Sequence, residues 1–193
     1  MNRNAKIQRK TRETEIDIFL NLDSSEKVEI STGIPFFDHM LELFSVHGDF
    51  GLLLDAKGDI EVDFHHTVED TGIALGMAFK KALGDLRGIR RYGDFSIPMD
   101  ETLAKVTLDI SNRPFLAYNL PEVIRAKGAF SAYLAREFFI AFSQHAGITL
   151  HINVLYGENE HHIIEACFKG LGRALSSAVE IVSNKIPSTK GVL

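Results

Sequence analysis

Apolar side chains recur at every second position, Ile16, Ile18, Leu20 and Leu22, with Asp17, Phe19 and Asn21 between them, and the run stops at Asp23-Ser24-Ser25. That period predicts a strand with one buried face. Val28 to Ser31 follows as the expected hairpin partner. From Pro35 to His47 the spacing changes: Phe37, Met40, Leu41 and Phe44 recur every three or four residues, with the proline in the first turn, which predicts a helix. Leu52-Leu53-Leu54 and the alternating Ile60, Val62 and Phe64 predict two strands around a turn at Lys57-Gly58-Asp59. His66 to Leu83 reads as a long helix closed by Gly84. Comparable elements then recur: strands near 102–110 and 115–120, a helix from about Ser131 to His145, a strand over Leu150, Ile152 and Val154, and a helix from His161 to about Ser183. Helices paired on one face of antiparallel-type sheets predict an α+β architecture.

The recurrence extends to individual residues. His65-His66-Thr67-Val68-Glu69 returns as His161-His162-Ile163-Ile164-Glu165, and aligning the two places Leu75-Gly76-x-Ala78 over Leu171-Gly172-x-Ala174 without a gap. Upstream, Phe44-Ser45-x-His47 matches Phe142-Ser143-x-His145, and eight residues before those histidines stand His39 and Glu137. So long a period predicts a duplicated unit with pseudo-twofold symmetry, in halves near 1–92 and 93–193, rather than a solenoid.

The doubled histidines carry the chemistry. Four residues make about one helical turn, so His65 with Glu69, and His161 with Glu165, share a helix face and can reach one ion. His66 and His162 point about 100° away and must serve a different site. Two doublets from two halves can therefore cross-ligate two metals. A single doublet reads equally well as surface histidines or a helix cap; its return with the same glutamate offset favours ligation.

Composition narrows the setting. The 193 residues can bury a substantial core, 45% are hydrophobic, and no apolar run is long enough to span a bilayer. The opening Met1 to Lys6 leads into a polar strand and lacks the apolar region of a signal peptide. One cysteine, Cys167, rules out an internal disulfide and suits a reducing cytoplasm; mid-helix and after an alanine, it reads as a small buried filler. A net charge of −5 argues against nucleic-acid binding.

Several motifs together resemble the imidazoleglycerol-phosphate dehydratase family. They are Arg9-Lys10-Thr11-Arg12-Glu13-Thr14, Thr32 to Leu41, Asp63 to Asp70, Ile97-Pro98-Met99-Asp100-Glu101, Asp109 to Pro114, His161 to Ala166 and Pro187-Ser188-Thr189-Lys190-Gly191. The resemblance implies a duplicated α+β unit like ribosomal protein S5 domain 2. It implies dehydration of imidazole glycerol phosphate to imidazole acetol phosphate in histidine biosynthesis, with Mn²⁺ and a 24-subunit shell built from trimers. Relatives that carry a fused phosphatase domain are longer than this chain. The chemistry calls for such groups, because no carbonyl activates either departing bond. Two metals on the two ring nitrogens can hold the substrate ring as imidazolate, whose electrons expel the adjacent hydroxide.

With the helix-face argument and the repeat, the resemblance implies two ligand sets: His39, His66, His161 and Glu165; then His65, Glu69, His162 and Glu137. Many relatives carry histidine at the position of Glu137, so His145 and His151 stay open as alternatives. Ligand types alone suit Mn²⁺ or a neighbouring first-row ion. For the phosphate, the resemblance implies Arg91, Arg113, Lys169, Ser188 and Lys190, and the sequence does not separate Arg91 from its neighbour Arg90. For proton transfer it implies Glu13, His47 and Glu165. Substrate contacts are expected from Glu13, His39, His47, His65, Glu69 and His161 besides the phosphate group. Two rival classes remain: metal-dependent hydrolysis, although the H-E-x-x-H pattern of zinc proteases is missing, and a structural metal that joins subunits. Groups this distant along the chain predict sites at subunit interfaces.

Overall fold

A computed structural model describes residues 3–122 and 128–191, so Met1 and Asn2 of the opening stretch lie outside it. The first half runs β1 (Asn4–Lys10), β2 (Thr14–Asn21), β3 (Val28–Ser31), α1 (Pro35–Gly48), β4 (Gly51–Gly58) and α2 (His65–Leu83). The second repeats that order as β5 (Tyr92–Met99), β6 (Thr102–Ile110), β7 (Phe115–Asn119), α3 (Ala132–Ala146), β8 (Ile148–Tyr156) and α4 (Glu160–Val179). The sheets, ordered β1-β2-β4-β3 and β5-β6-β8-β7, have the same topology. The duplicated α+β unit is thus present as expected.

Three local expectations need correction. Val28 to Ser31 is a strand, but it pairs parallel with β4 and not with β2, because α1 supplies the crossover that a parallel pair requires. The hairpin partner of β2 is β1, with Ile7 opposite Ile18. Ile60, Val62 and Phe64 form no strand: β4 ends at Gly58, the Val62 amide closes a turn onto Asp59 O at 2.8 Å, and Val62 is 68% exposed. Finally, α4 stops at Val179 rather than near Ser183.

Helices cover one face of each sheet, and each half packs its helices against those of the other: α1 lies on α4 and α2 on α3. The repeated glycines explain how closely. A Cβ on Gly172 would stand 2.4 Å from Phe44 O, and one on Gly76 would stand 2.7 Å from Phe142 O. Phe44 and Phe142, themselves repeat mates, meet edge to face with centroids 6.2 Å apart. Phe37, Phe79, Phe138 and Phe168 complete a fully buried aromatic core that joins both halves. Gly172→Ala and Gly76→Ala should each cost about 1–3 kcal/mol, since backbone cannot yield as a side chain does. Urea unfolding checks this: the midpoint should fall at constant slope.

Candidate metal and phosphate site

The packing of α1 on α4 brings His39 over the first turns of α4. His161 Nε2 lies 3.1 Å from Glu165 Oε2, and His39 Nε2 lies 3.9 Å from the same oxygen. The three ligand atoms fall within 4.8 Å of one another, the one such trio among the described residues. Ligands about 2.0–2.2 Å from an ion stand roughly 3–4 Å apart, so the trio fits a first-row cation and leaves coordination positions open. Phe36 meets the His161 ring edge-on at 5.1 Å and braces it. Asn159 caps α4 by accepting from the His161 amide at 3.1 Å, and Asp63 accepts from the His65 amide at 2.7 Å in the equivalent place.

The mate of this trio is looser. His65 Nε2 stands 3.4 Å from Glu69 on the same face of α2. The His65 ring stacks near Tyr133 of α3 with centroids 6.4 Å apart, and Glu137 follows Tyr133 by one helical turn. The Glu137 carboxylate is held by Arg136 at 3.2 Å rather than by either histidine. His145 spends Nδ1 on the Ala141 carbonyl at 2.9 Å, two turns further along α3. His151 is exposed on β8, whose alternate residues Leu150 and Ile152 face the helices, so it lies on the opposite side of that sheet.

The second histidines of the doublets stand apart from these clusters. His66 Nδ1 lies 3.0 and 3.2 Å from the Asp59 carboxylate oxygens and 3.9 Å from Glu13. His162 Nδ1 lies 2.7 Å from Glu101. The sequence assigns no site role to Asp59 or to Glu101, although Glu101 closes the Ile97 to Glu101 motif, because both sit in turns without periodicity. One signal lies in the sequence: Glu13 and Glu101 each stand directly before a threonine, Thr14 or Thr102, and those threonines open β2 and β6. The His162 hydrogen bond, then the Asn159 amide, hold the Glu101 carboxyl far below the usual range. Asp59, and beyond it Glu13, raise the pKa of His66.

Around Glu165, burial opposes ionisation, but Lys169 at 2.5 Å and His161 outweigh it and lower the carboxyl. Lys169 is therefore engaged at the trio and not with the other residues expected to hold phosphate. His47, at the end of α1, is lowered by burial and by the charges of Lys169 and Arg173 on α4. Cys167 is fully buried, and burial drives its thiol well above the usual value.

The remaining phosphate candidates converge. A cavity of about 710 Å³ is lined by Arg91, Tyr92, Ser111, Arg113 and the tail Pro187 to Lys190. Here Arg91 and Arg90 separate. Arg91 binds Asp109 through Nε at 2.7 Å and donates Nη1 to Pro187 O at 2.7 Å, clamping the tail onto the second sheet. Arg90 pairs instead with Glu180 at 2.5 Å. Arg113 keeps a 68% exposed side chain and, among the described residues, a single side-chain contact of 3.4 Å to Asp109, so its guanidinium is open to an anion.

The family model for imidazoleglycerol-phosphate dehydratase matches residues 32–175. A protein of that name from Trichlorobacter lovleyi is 57% identical over the full length of both chains. The Azorhizobium caulinodans one is 55% identical, covering 99% of this chain and 98% of its own length. Among solved structures, the dehydratase of Pyrococcus furiosus superposes with a TM-score of 0.86 at 37% identity, covering 97% of this chain and all of that one. The Staphylococcus aureus enzyme gives 0.83 at 38% identity, over 93% of this chain and 99% of that one.

Proposed function

The chain belongs to the imidazoleglycerol-phosphate dehydratase family of hydro-lyases in histidine biosynthesis, and from that premise we propose how its residues act. The reaction is loss of water from imidazole glycerol phosphate to give imidazole acetol phosphate, in a site loaded with two Mn²⁺ ions and shared between copies of the chain. The convergent trio His39, His161 and Glu165 carries this reading. It supplies three ligands of the first set, while the fourth, His66, is held at Asp59 outside it. A second copy would complete the set with its own His66, and the mirror arrangement would bring His162 to His65, Glu69 and Glu137.

When bound, the two ions would supply Lewis acidity at the ring nitrogens and favour the imidazolate that expels hydroxide. The chain's own groups do the rest. Lys169 and His161 keep Glu165 ionised. His47, lowered by burial and neighbouring cations, stays neutral and can accept a proton near neutral pH. Glu13, more than half exposed beside His66, is free to reach a substrate carbon. One group takes the C–H proton, another protonates the departing hydroxyl, and the resulting enol becomes the ketone.

Arg113, Ser188 and Lys190 anchor the phosphate, and Arg91 acts on it through the tail it clamps. Arg113→Ala and Lys190→Ala should each raise KM about 10- to 100-fold, the scale of one charge-assisted hydrogen bond, with a smaller loss in kcat. Unchanged kinetics in both would make them surface charges. The same reading takes the assembly to be a cytoplasmic 24-subunit shell of trimers. No helix among the described residues is long and apolar enough to cross a membrane. The direct test is formation of imidazole acetol phosphate with and without Mn²⁺, expected only with the ion.

A further inference from the structure

One carboxylate is hydrogen-bonded to the second histidine of each doublet, and neither of the two belongs to a ligand set. Glu101, in the turn between β5 and β6, places Oε2 2.7 Å from His162 Nδ1. Its Oε1 accepts from the Asn159 amide at 2.9 Å, the Glu158 amide at 3.2 Å and the Thr102 hydroxyl at 3.0 Å. The other ring nitrogen, Nε2, faces Asn159 Nδ2 at 3.4 Å, and Asp100 stands 3.8 Å away. The Asn159 oxygen is occupied by the His161 amide, which sets the orientation of that side chain and makes Nδ2 the atom turned to the ring. A carboxylate at Nδ1 and a donor at Nε2 specify one tautomer, with the proton on Nδ1 and the lone pair on Nε2. Asp59 repeats the arrangement at His66, with both oxygens on Nδ1 at 3.0 and 3.2 Å.

We propose that Glu101 and Asp59 are positioning residues: each accepts a hydrogen bond from the Nδ1–H of its histidine and so presents Nε2 as the atom that binds a divalent cation. The inference rests on the two-metal reading above. A carboxylate behind a ligating histidine fixes the tautomer and the ring and raises the basicity of the ligand nitrogen. The geometry also distinguishes the two hairpin glutamates. Asp59 occupies His66, so Glu13 stands off at 3.9 Å with its side chain half exposed. Its counterpart Glu101 is tied by the bonds already described. One glutamate positions a ligand, and its mate remains free for substrate.

The test is Mn²⁺ titration of the stripped full-length protein, with free ion followed by electron paramagnetic resonance and bound ion by elemental analysis. Glu101→Gln is close in size, and its amide oxygen can still serve the Asn159 and Glu158 amides. Its NH₂ would then donate to His162 Nδ1 and force the opposite tautomer. Affinity at one of two sites should fall about 10- to 100-fold, with the thermal midpoint of stripped protein unchanged. Asp59→Ala, at a loop position, should do the same to the site that uses His66, and it decides the question if Glu101→Gln fails to fold. Two sites of wild-type affinity in these variants would overturn the inference, as would a loss of affinity that merely follows a lowered midpoint. If the wild-type protein takes up no Mn²⁺, the two-metal reading falls first.

Discussion

Stripping the protein with a chelator should abolish dehydration, and Mn²⁺ should restore it. His161→Ala and Glu165→Ala should each lower kcat/KM by at least about 10³-fold, because a metal acting as a Lewis acid contributes several kcal/mol and each 1.4 kcal/mol is about tenfold. Glu165 is the harsher change. Its loss removes the carboxylate on which His39, His161 and Lys169 all converge. It also leaves the Lys169 ammonium part-buried without that partner, so expression and folding must be checked beside activity. Glu137→Ala should approach the same severity, and His145→Ala should be mild, since His145 already spends Nδ1 on its own helix. A silent Glu137→Ala with a severe His145→Ala would move the ligand assignment to His145. Full turnover in exhaustively stripped protein would end the metal mechanism.

The parts that were legible in the sequence are those where one residue spacing serves a physical need. The i, i+4 glutamate after each histidine pair identified both helix faces, and the matching Leu-Gly-x-Ala segments identified the duplication. Those glycines turned out to be where helix backbones meet. Strand β5 lacks a clear sequence pattern for a related reason. A Cβ on Gly93 would stand 1.9 Å from Ala174 O, so the tight contact with α4 excludes a side chain at one inward position and breaks the apolar alternation. Pro98 is tolerated because β5 is an edge strand. The partner of β3 was not legible either, since a short polar turn and a crossover helix leave the same local pattern. At the site, Asp59 and Glu101 come from turns, and only the folded chain shows which of Arg90 and Arg91 holds the tail.

The central claim is that one copy of the chain supplies His39, His161 and Glu165 while another supplies His66. Mixed assembly tests it most directly. His39→Ala and His66→Ala should each be nearly inactive alone, because each removes one ligand from every first site. Co-expressed in equal amounts, a His66→Ala copy still offers an intact His39 and a His39→Ala copy still offers an intact His66. If the site is shared, about a quarter of the sites in a randomly mixed assembly regain a full ligand set, and activity should recover toward a quarter of wild type. Mixed particles that are verified to contain both variants and remain as inactive as either alone would show that each copy builds its own site, and would contradict the account.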